Sequence, residues 1–289
     1  MPELPEVETI ARGLANRVTG DVIESIWLGS KPELLKSSAS EIANTLESKR
    51  IAGVRRVGKH IVFDLENGGP IPSPVKGKSS HKSSKASAPL SAAAQWIVHL
   101  GMTGQMLVCN PDQAIEKHTH AIARLSSGRE LRFVDPRRFG RLSVAHGFDA
   151  PGVEPLEIEL DRFIELFRGR KTPIKSALLN QKLLRGVGNI YADESLFRAR
   201  IRPRRRAASL TRNELAGLYS AIPEVLKEAI ALGGSSISDY VGADGEEGFF
   251  QLQHRVYGRE GEPCLICKTP IKRIVIAGRS SHYCPKCQK

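Results

Sequence analysis

Four of the five cysteines in this 289-residue chain fall within its last 26 residues, as Cys264, Cys267, Cys284 and Cys287. The spacing is C-x2-C, sixteen residues, then C-x2-C, and no other feature restricts so tightly what this end of the chain can form. Each C-x2-C turn aims two thiolates at one point. A short β-hairpin (271–276, then 281–283) brings the second pair back to complete a tetrahedron around one Zn2+ ion. Four protein ligands leave no open position, so such a zinc is structural. Two disulfides would use the same cysteines, but an intracellular setting argues against them. Residues 255–289 carry eight Lys or Arg against two Glu, a charge suited to lying against phosphate. The fifth cysteine, Cys109, is expected in a packed core.

The rest of the chain is basic as well, with 43 Lys+Arg against 31 Asp+Glu and a pI near 9.7. A polyanionic partner fits that balance, and so does an ordinary enzyme with a solvated positive face. No apolar run approaches the roughly 18 residues of a membrane span. The opening MPELPEVETI has Glu where a secretory leader has basic and apolar regions. A soluble, intracellular, basic protein is therefore expected.

Val7, Ile10, Leu14 and Val18 recur at helical steps, predicting a helix over 3–18 that Gly20 stops. Short segments rich in β-branched residues follow at 22–28, 51–57, 61–65, 96–100, 121–125 and 131–134, an antiparallel sheet or sandwich. Between two of them, 67–93 holds seven Ser, four Lys, four Pro and no acid or aromatic, and is expected to be a disordered basic insertion. Helical spacing returns at 161–167, 174–184, 190–198 and 214–232, with Thr211 and Glu214 forming a capping box. The fold class is thus α+β multidomain. The chain splits into a β-rich half with an N-terminal helix (1–148), a helical middle (149–236) and a tail that ends in the zinc-bound cysteines (237–289).

Met1 precedes a small residue, so its removal is expected to expose the secondary amine of Pro2. An α-amine titrates near ~7.7–8.0, against ~10.4 for lysine, so it is available as a neutral nucleophile at neutral pH. Such an amine attacks an aldehyde carbon to give an iminium, and Glu3 and Glu6 lie beside it to move protons. Pro-Glu is equally a good helix opening, which leaves both readings standing at this point. Lys59 sits in VRRVGKHIVF between two predicted strands. Asn189 lies in LLRGVGNIYADE, whose backbone amides would seat a phosphate at a helix start. DPRRFGR puts two arginines beside Phe139, a mix that can wedge a base step and hold the backbone.

MPELPEVET, VRRVGKH, HLGMTGQM, EKHTH, DPRRFG, the KTPIK segment, LLRGVGNIYADE, HRVYGREGEPC and the closing cysteine pairs together resemble bacterial formamidopyrimidine-DNA glycosylase, of the formamidopyrimidine-DNA glycosylase/endonuclease VIII family. The resemblance covers the chain outside 67–93. It implies a catalytic β-sandwich domain over 1–148, a helix-two-turn-helix DNA-binding domain over 149–236 and a lesion-loop and zinc-finger module over 237–289. It also implies a monomer with no membrane role and no obligate protein partner, cytoplasmic and nucleoid-associated. It implies a base-excision-repair enzyme that removes oxidised purines (8-oxoguanine, formamidopyrimidines) from damaged double-stranded DNA and cuts the strand by β,δ-elimination. On that resemblance Pro2 attacks C1′ and holds the sugar as a Schiff base, Glu3 donates and shuttles the proton, Lys59 assists at the base and in β-elimination, and Arg279 helps δ-elimination. Met102, Arg137 and Phe139 would fill the gap left by the flipped nucleotide, Arg137 reading the orphaned cytosine. His118, Arg138, Lys171, Lys175 and Asn189 would grip the strands, and 235–250 would close over the lesion.

Three departures stand out. His60 replaces the aromatic that usually follows the hairpin lysine, 67–93 is inserted, and 200–206 packs five arginines into seven residues with no role evident from sequence. Two rival functions are kept: an endonuclease VIII-like glycosylase for oxidised pyrimidines, and a non-catalytic zinc-stabilised damaged-DNA-binding protein. MPELPE and the Met102/Arg137/Phe139 set oppose the first, and Pro2, Glu3 and Lys59 together oppose the second. A zinc-ribbon RNA-binding factor has only the charge and the cysteines behind it.

Overall fold

The computed structural model describes residues 1–68, 94–235 and 248–289. The expectations for the 67–93 insertion from residue 69 onward, and for 236–247 of the lesion loop, lie outside the described residues. The chain divides into two compact units. One comprises Met1–Ile10, Arg56–His60 and Asp149–Lys289, the other Ala11–Arg55 and Ile61–Phe148. The chain start and the turn bearing Lys59 therefore belong to the same unit as the helices and the cysteine module.

In chain order the elements are α1 (Leu4–Val18), β1 (Ile23–Leu28), α2 (Ala39–Leu46), β2 (Lys49–Val57), β3 (His60–Asn67), β4 (Ala94–His99), β5 (Gln105–Cys109), β6 (Thr119–Leu125), β7 (Glu130–Val134) and β8 (Arg141–His146). Then come α3 (Leu160–Phe167), α4 (Ile174–Leu178), α5 (Asn189–Arg198), α6 (Arg212–Ala231), β9 (Lys272–Ile276) and β10 (Arg279–Tyr283).

The second unit holds the expected sandwich: two four-stranded sheets, ordered β1-β6-β7-β5 and β2-β3-β4-β8. Neighbours such as β4 and β8 pair antiparallel, Trp96 facing Val144. Ile23, Ile51, Phe63, Trp96, Leu131, Phe133 and Leu142 are all buried, each stabilising the fold by about 1.5–3 kcal/mol if its side chain leaves water entirely. Three elements escape the sequence reading. Strands β5 and β8 each bury a single residue, Met106 and Leu142, so no alternating apolar pattern marks them. Helix α2 does carry a signal, since Ser38 caps it by accepting the Glu41 N–H. Cys109, expected in the core, is only half-buried, because β5 is the edge strand of its sheet.

In the first unit, Phe163, Phe167, Ile174, Leu178, Leu184, Tyr191, Leu218 and Leu226 form the helical core, and Leu4 of α1 is part of it. That contact anchors the chain start. The helix expected over 174–184 is shorter and stops at Leu178. Asn180 Oδ1 accepts the Lys182 N–H at 3.0 Å, a side-chain turn that competes with continued helix. The capping box of α6 is present as expected, with Thr211 and Glu214 each satisfying the other's backbone.

A smaller core of Phe197, Val256, Cys264, Ile271 and Cys284 underlies the cysteine module. The arginine-rich segment is tied to it: Arg202 donates to the carbonyls of Gln288 and Pro285 at 2.9 and 2.8 Å. Arg205 pairs with Glu214. Two of the five arginines are thus structural staples. Among the described residues no helix is long and apolar enough to cross a membrane.

Candidate active site

Pro2 is buried at the foot of α1, and the next residue organises its surroundings. Glu3 Oε1 accepts the Ile190 N–H at 3.1 Å and Oε2 the Tyr191 N–H at 3.4 Å. These are the unsatisfied amides at the start of α5. Sequence reasoning placed a phosphate there; the protein's own carboxylate occupies the position instead, as a cap delivered from the other end of the chain. Gly188 makes the approach possible, because a Cβ at that position would collide with the Glu3 carboxylate. Gly188→Ala is therefore expected to displace Glu3. We expect at least a hundredfold lower strand cleavage, the scale of a misplaced general acid, with melting lowered by only a few degrees. Cleavage assays beside thermal melts check this.

Glu6, one turn into α1, is a second buried carboxylate. It accepts the Glu3 N–H at 2.8 Å, the Ser235 N–H at 2.8 Å and the Tyr191 hydroxyl. Lys59, in the two-residue turn between β2 and β3, is buried and within electrostatic reach of this pair. Burial lowers its pKa, opposed by the charges of Glu3 and Glu6, while Arg279 pushes it down further. The same burial drives the Glu3 carboxyl up to about 7 against the pull of Lys59, and Glu6 adds to the rise. Burial also raises Glu6, opposed first by its bond from Tyr191. Near neutral pH this cluster holds a carboxyl able to give a proton, beside an amine whose basicity is lowered by burial.

The Lys59 turn is braced from below. Arg56 reaches Glu154 with two bonds (2.6 and 3.1 Å) and Glu8 with a third at 2.8 Å. Arg56 also donates to the carbonyl of Gly58 at 3.1 Å. His60 Nδ1 lies 3.3 Å from the Val57 carbonyl across the turn, so the imidazole braces the turn locally.

Arg279 opens β10, directly after the tight turn of the cysteine hairpin. Asn189 Nδ2 donates to Ser280 Oγ at 3.3 Å. Lys175, expected among the strand-gripping residues, is fully buried. Its Nζ lies 2.7 Å from Asp193 Oδ1 and donates to the Ser280 carbonyl at 2.6 Å. Direct contact with a DNA strand does not fit that placement, because Asp193 and the hairpin occupy the ammonium. Asp193 also takes the His282 N–H at 2.9 Å, so one buried ion pair joins α4, α5 and the hairpin that bears Arg279. Lys171 is exposed. Glu194 accepts three consecutive backbone N–H groups, those of Arg255, Val256 and Tyr257, at 2.8–3.0 Å, and so positions Tyr257. Asp193, Glu194 and Tyr257 were missed as site residues. All three lie inside motifs quoted from the sequence, but only their tertiary partners reveal what they do.

The four cysteines converge. Their sulfurs all lie within 4.8 Å of one another, with Cys267–Cys284 at 3.4 Å and Cys264–Cys287 at 3.9 Å. Tetrahedral zinc with bonds of about 2.3 Å needs sulfurs roughly 3.8 Å apart, so the donor set fits one structural Zn2+.

The remaining expected residues belong to the sandwich unit. Met102 and Phe139 are 42% and 47% exposed, unusual for large apolar side chains, and the Arg137 guanidinium stands 5.0 Å from the Phe139 ring centre. Arg138 has φ +57° and pairs at the surface with Glu33 at 2.9 Å. His118 is half-buried, and its carbonyl accepts the Asp135 N–H at 2.9 Å.

Three family models match the chain in order: the formamidopyrimidine-DNA glycosylase N-terminal domain over 1–142, the H2TH domain of the same glycosylase over 151–241, and the zinc finger found in FPG and IleRS over 261–289. A formamidopyrimidine-DNA glycosylase of Solibacter usitatus is 44% identical over the full length of both chains. Among solved structures, the MutM (FPG) protein of Thermus thermophilus is 40% identical with a TM-score of 0.81, covering 99% of this chain and 98% of its own. A mutant FPG of Lactococcus lactis, solved with DNA containing Fapy-dG, is 32% identical with a TM-score of 0.85 over the full length of both.

Proposed function

Because the chain belongs to the formamidopyrimidine-DNA glycosylase family, we propose that it excises oxidised purines from damaged duplex DNA through Pro2 and then cleaves the strand. It is a bifunctional glycosylase and AP lyase. The observation that carries the assignment of roles is the buried carboxyl of Glu3, next to Pro2 in sequence, raised to about 7 and facing Lys59.

With Met1 removed, the Pro2 nitrogen attacks C1′, the glycosidic bond breaks and the departing base takes a proton. Glu3 is suited to supply protons during ring opening, since it is partly protonated near pH 7. The resulting iminium acidifies the C2′ hydrogen. Lys59, its basicity lowered by burial, is suited to remove it as the 3′ phosphate leaves, and a second elimination expels the 5′ phosphate. Arg279 at the start of β10 and Asn189, whose side chain meets Ser280 beside it, are suited to hold a phosphate oxygen. Lys175 acts through the hairpin, holding Ser280. Met102, Arg137 and Phe139 fill the gap left by the flipped nucleotide, with Arg137 on the orphaned cytosine, while His118, Arg138 and Lys171 meet the strands. When bound, the zinc holds the hairpin together and takes no part in the reaction.

The domain boundaries 1–148, 149–236 and 237–289 belong to this reading. So do a monomeric state without an obligate protein partner and a cytoplasmic, nucleoid-associated location.

Borohydride reduction during reaction with an 8-oxoguanine duplex tests it. A covalent protein–DNA adduct is expected through Pro2, with intact mass showing Met1 gone and Pro2→Gly giving no adduct. Faster cleavage of thymine glycol opposite adenine than of 8-oxoguanine opposite cytosine would move the substrate class to oxidised pyrimidines. Binding without any nicking would make the chain a recognition module.

A further inference from the structure

We infer that the buried pair Asp135 and Thr103 sets the register of Met102, Arg137 and Phe139, and thereby controls how strongly the enzyme prefers cytosine opposite the lesion. The inference rests on the gap-filling role proposed above for those three side chains.

Asp135 follows β7 and is wholly buried. A carboxylate in such a place costs several kcal/mol unless its oxygens are bonded. Here they close the turn that displays Arg137 and Phe139. Oδ1 accepts the Arg137 N–H at 3.2 Å and Oδ2 the Gly140 N–H at 2.8 Å. The Asp135 carbonyl receives the Arg138 N–H at 3.3 Å and lies 3.0 Å from His120 Nε2.

Were this all, Asp135 would be an ordinary turn-former. The second link is Thr103, which comes from a different segment and directly follows Met102. Its hydroxyl donates to Asp135 Oδ1 at 2.5 Å, and its Oγ lies 3.3 Å from the Arg137 nitrogen. The two segments also meet backbone to backbone. Gly101 has φ +65°, and a Cβ there would overlap the Phe139 carbonyl carbon and the Gly140 nitrogen.

One buried carboxylate and one hydroxyl therefore join the residue after Met102 to the turn carrying Arg137 and Phe139. The three outward side chains have no such fixing of their own: Met102 and Phe139 are half exposed, and Arg137 rests over Phe139. Their directions follow from what is bonded beneath them. A guanidinium reading two acceptors on one base tolerates little displacement before it loses the ability to tell bases apart. Asp135 and Thr103 are positioning residues on this account and touch no DNA.

The readout is the ratio of single-turnover excision rates for 8-oxoguanine opposite cytosine and opposite adenine, measured on the zinc-loaded full-length protein. Thr103→Val keeps the shape and removes the hydroxyl. The ratio is expected to fall about tenfold, the scale of one hydrogen-bonded base contact. Thr103→Ser restores the hydroxyl and should keep the parent ratio. Arg137→Ala should lose the preference outright, and adding Thr103→Val to it should change nothing further, because both act through one contact.

A Thr103→Val protein that melts like the parent and keeps its ratio overturns the inference. A Thr103→Ser protein as indiscriminate as the valine variant does so too, since packing and not the hydroxyl would then matter. Should the valine variant fold poorly, Asp135→Asn carries the same test. Its amide must turn an N–H toward the Gly140 or Arg137 N–H, and the same tenfold fall is expected. An Arg137→Ala protein with an unaltered preference is recognisable without touching Asp135 or Thr103. It removes the gap-filling reading and the inference with it.

Discussion

Replacing Glu3 by glutamine is expected to slow single-turnover excision at pH 7 by about a thousandfold, within the range a positioned general acid supplies. Two effects combine. Glutamine cannot give up a proton, and its amide must point at least one N–H toward the amides of Ile190 and Tyr191, both of which donate to the carboxylate. Leaving such a donor facing a donor costs about 1–3 kcal/mol, so the variant should also melt lower unless relief of the buried charge offsets the loss.

The pH profile separates chemistry from folding. The Glu3 carboxyl is raised from 4.5 to about 7, so its acidic form predominates below neutrality and falls about tenfold per pH unit well above 7. The parent's excision rate should decline on the alkaline side with a midpoint near 7, and Glu3→Gln should lack that limb. Stability runs in the same direction. Between 4.5 and 7 the folded chain holds a proton that the unfolded chain has released, so this group's contribution is whole below 4.5 and is lost as pH rises through 7. An alkaline limb that persists unchanged in the glutamine variant would assign the proton to another group.

Stripping the zinc should have the other large effect. Structural zinc in small cysteine modules contributes about 10–16 kcal/mol of apparent folding free energy, and the core beneath this one is only Phe197, Val256, Ile271 and two of the ligands themselves. Without the metal the hairpin β9–β10 is expected to unfold while the sandwich unit keeps its own cooperative transition. The damage reaches beyond the module. Lys175 loses the Ser280 carbonyl and Asp193 loses the His282 N–H, so the buried pair is left without its outer bonds and Arg279 without its support. Amide exchange should rise across 255–289 and in α5, and strand cleavage should vanish. Protection of α5 that survives metal removal would show that the helix stands independently of the hairpin.

What the sequence disclosed were features whose partners lie close along the chain or share one chemical purpose. The cysteine spacing, the period of α1 and the Thr211–Glu214 box are of this kind. Chemistry at Pro2 became legible through long motifs matching a family, and the fold bears out the sandwich, helices and cysteine module that the resemblance implied. The misreadings share a cause. A lysine in KTPIK looks like any surface cation until Asp193, eighteen positions on, is seen to hold it in the interior. The α5 amides look like an open anion seat until a carboxylate from residue 3 is found in it. Asn180 ends α4 by a side-chain bond that no apolar period reveals. Contacts across such separations depend on the whole fold and leave little trace in local pattern.

Glu3 fastens the beginning of the polypeptide to a helix almost two hundred positions later, and the same two oxygens are those that would trade protons with the sugar. Mechanical fastening and reactivity are therefore inseparable at this side chain. Selection for a sturdier joint there would keep two acceptor oxygens for the α5 amides, and selection for faster turnover would keep a group that titrates. Improvements in thermal endurance should accordingly accumulate elsewhere, in the arginine staples and strand interiors, and leave this residue untouched.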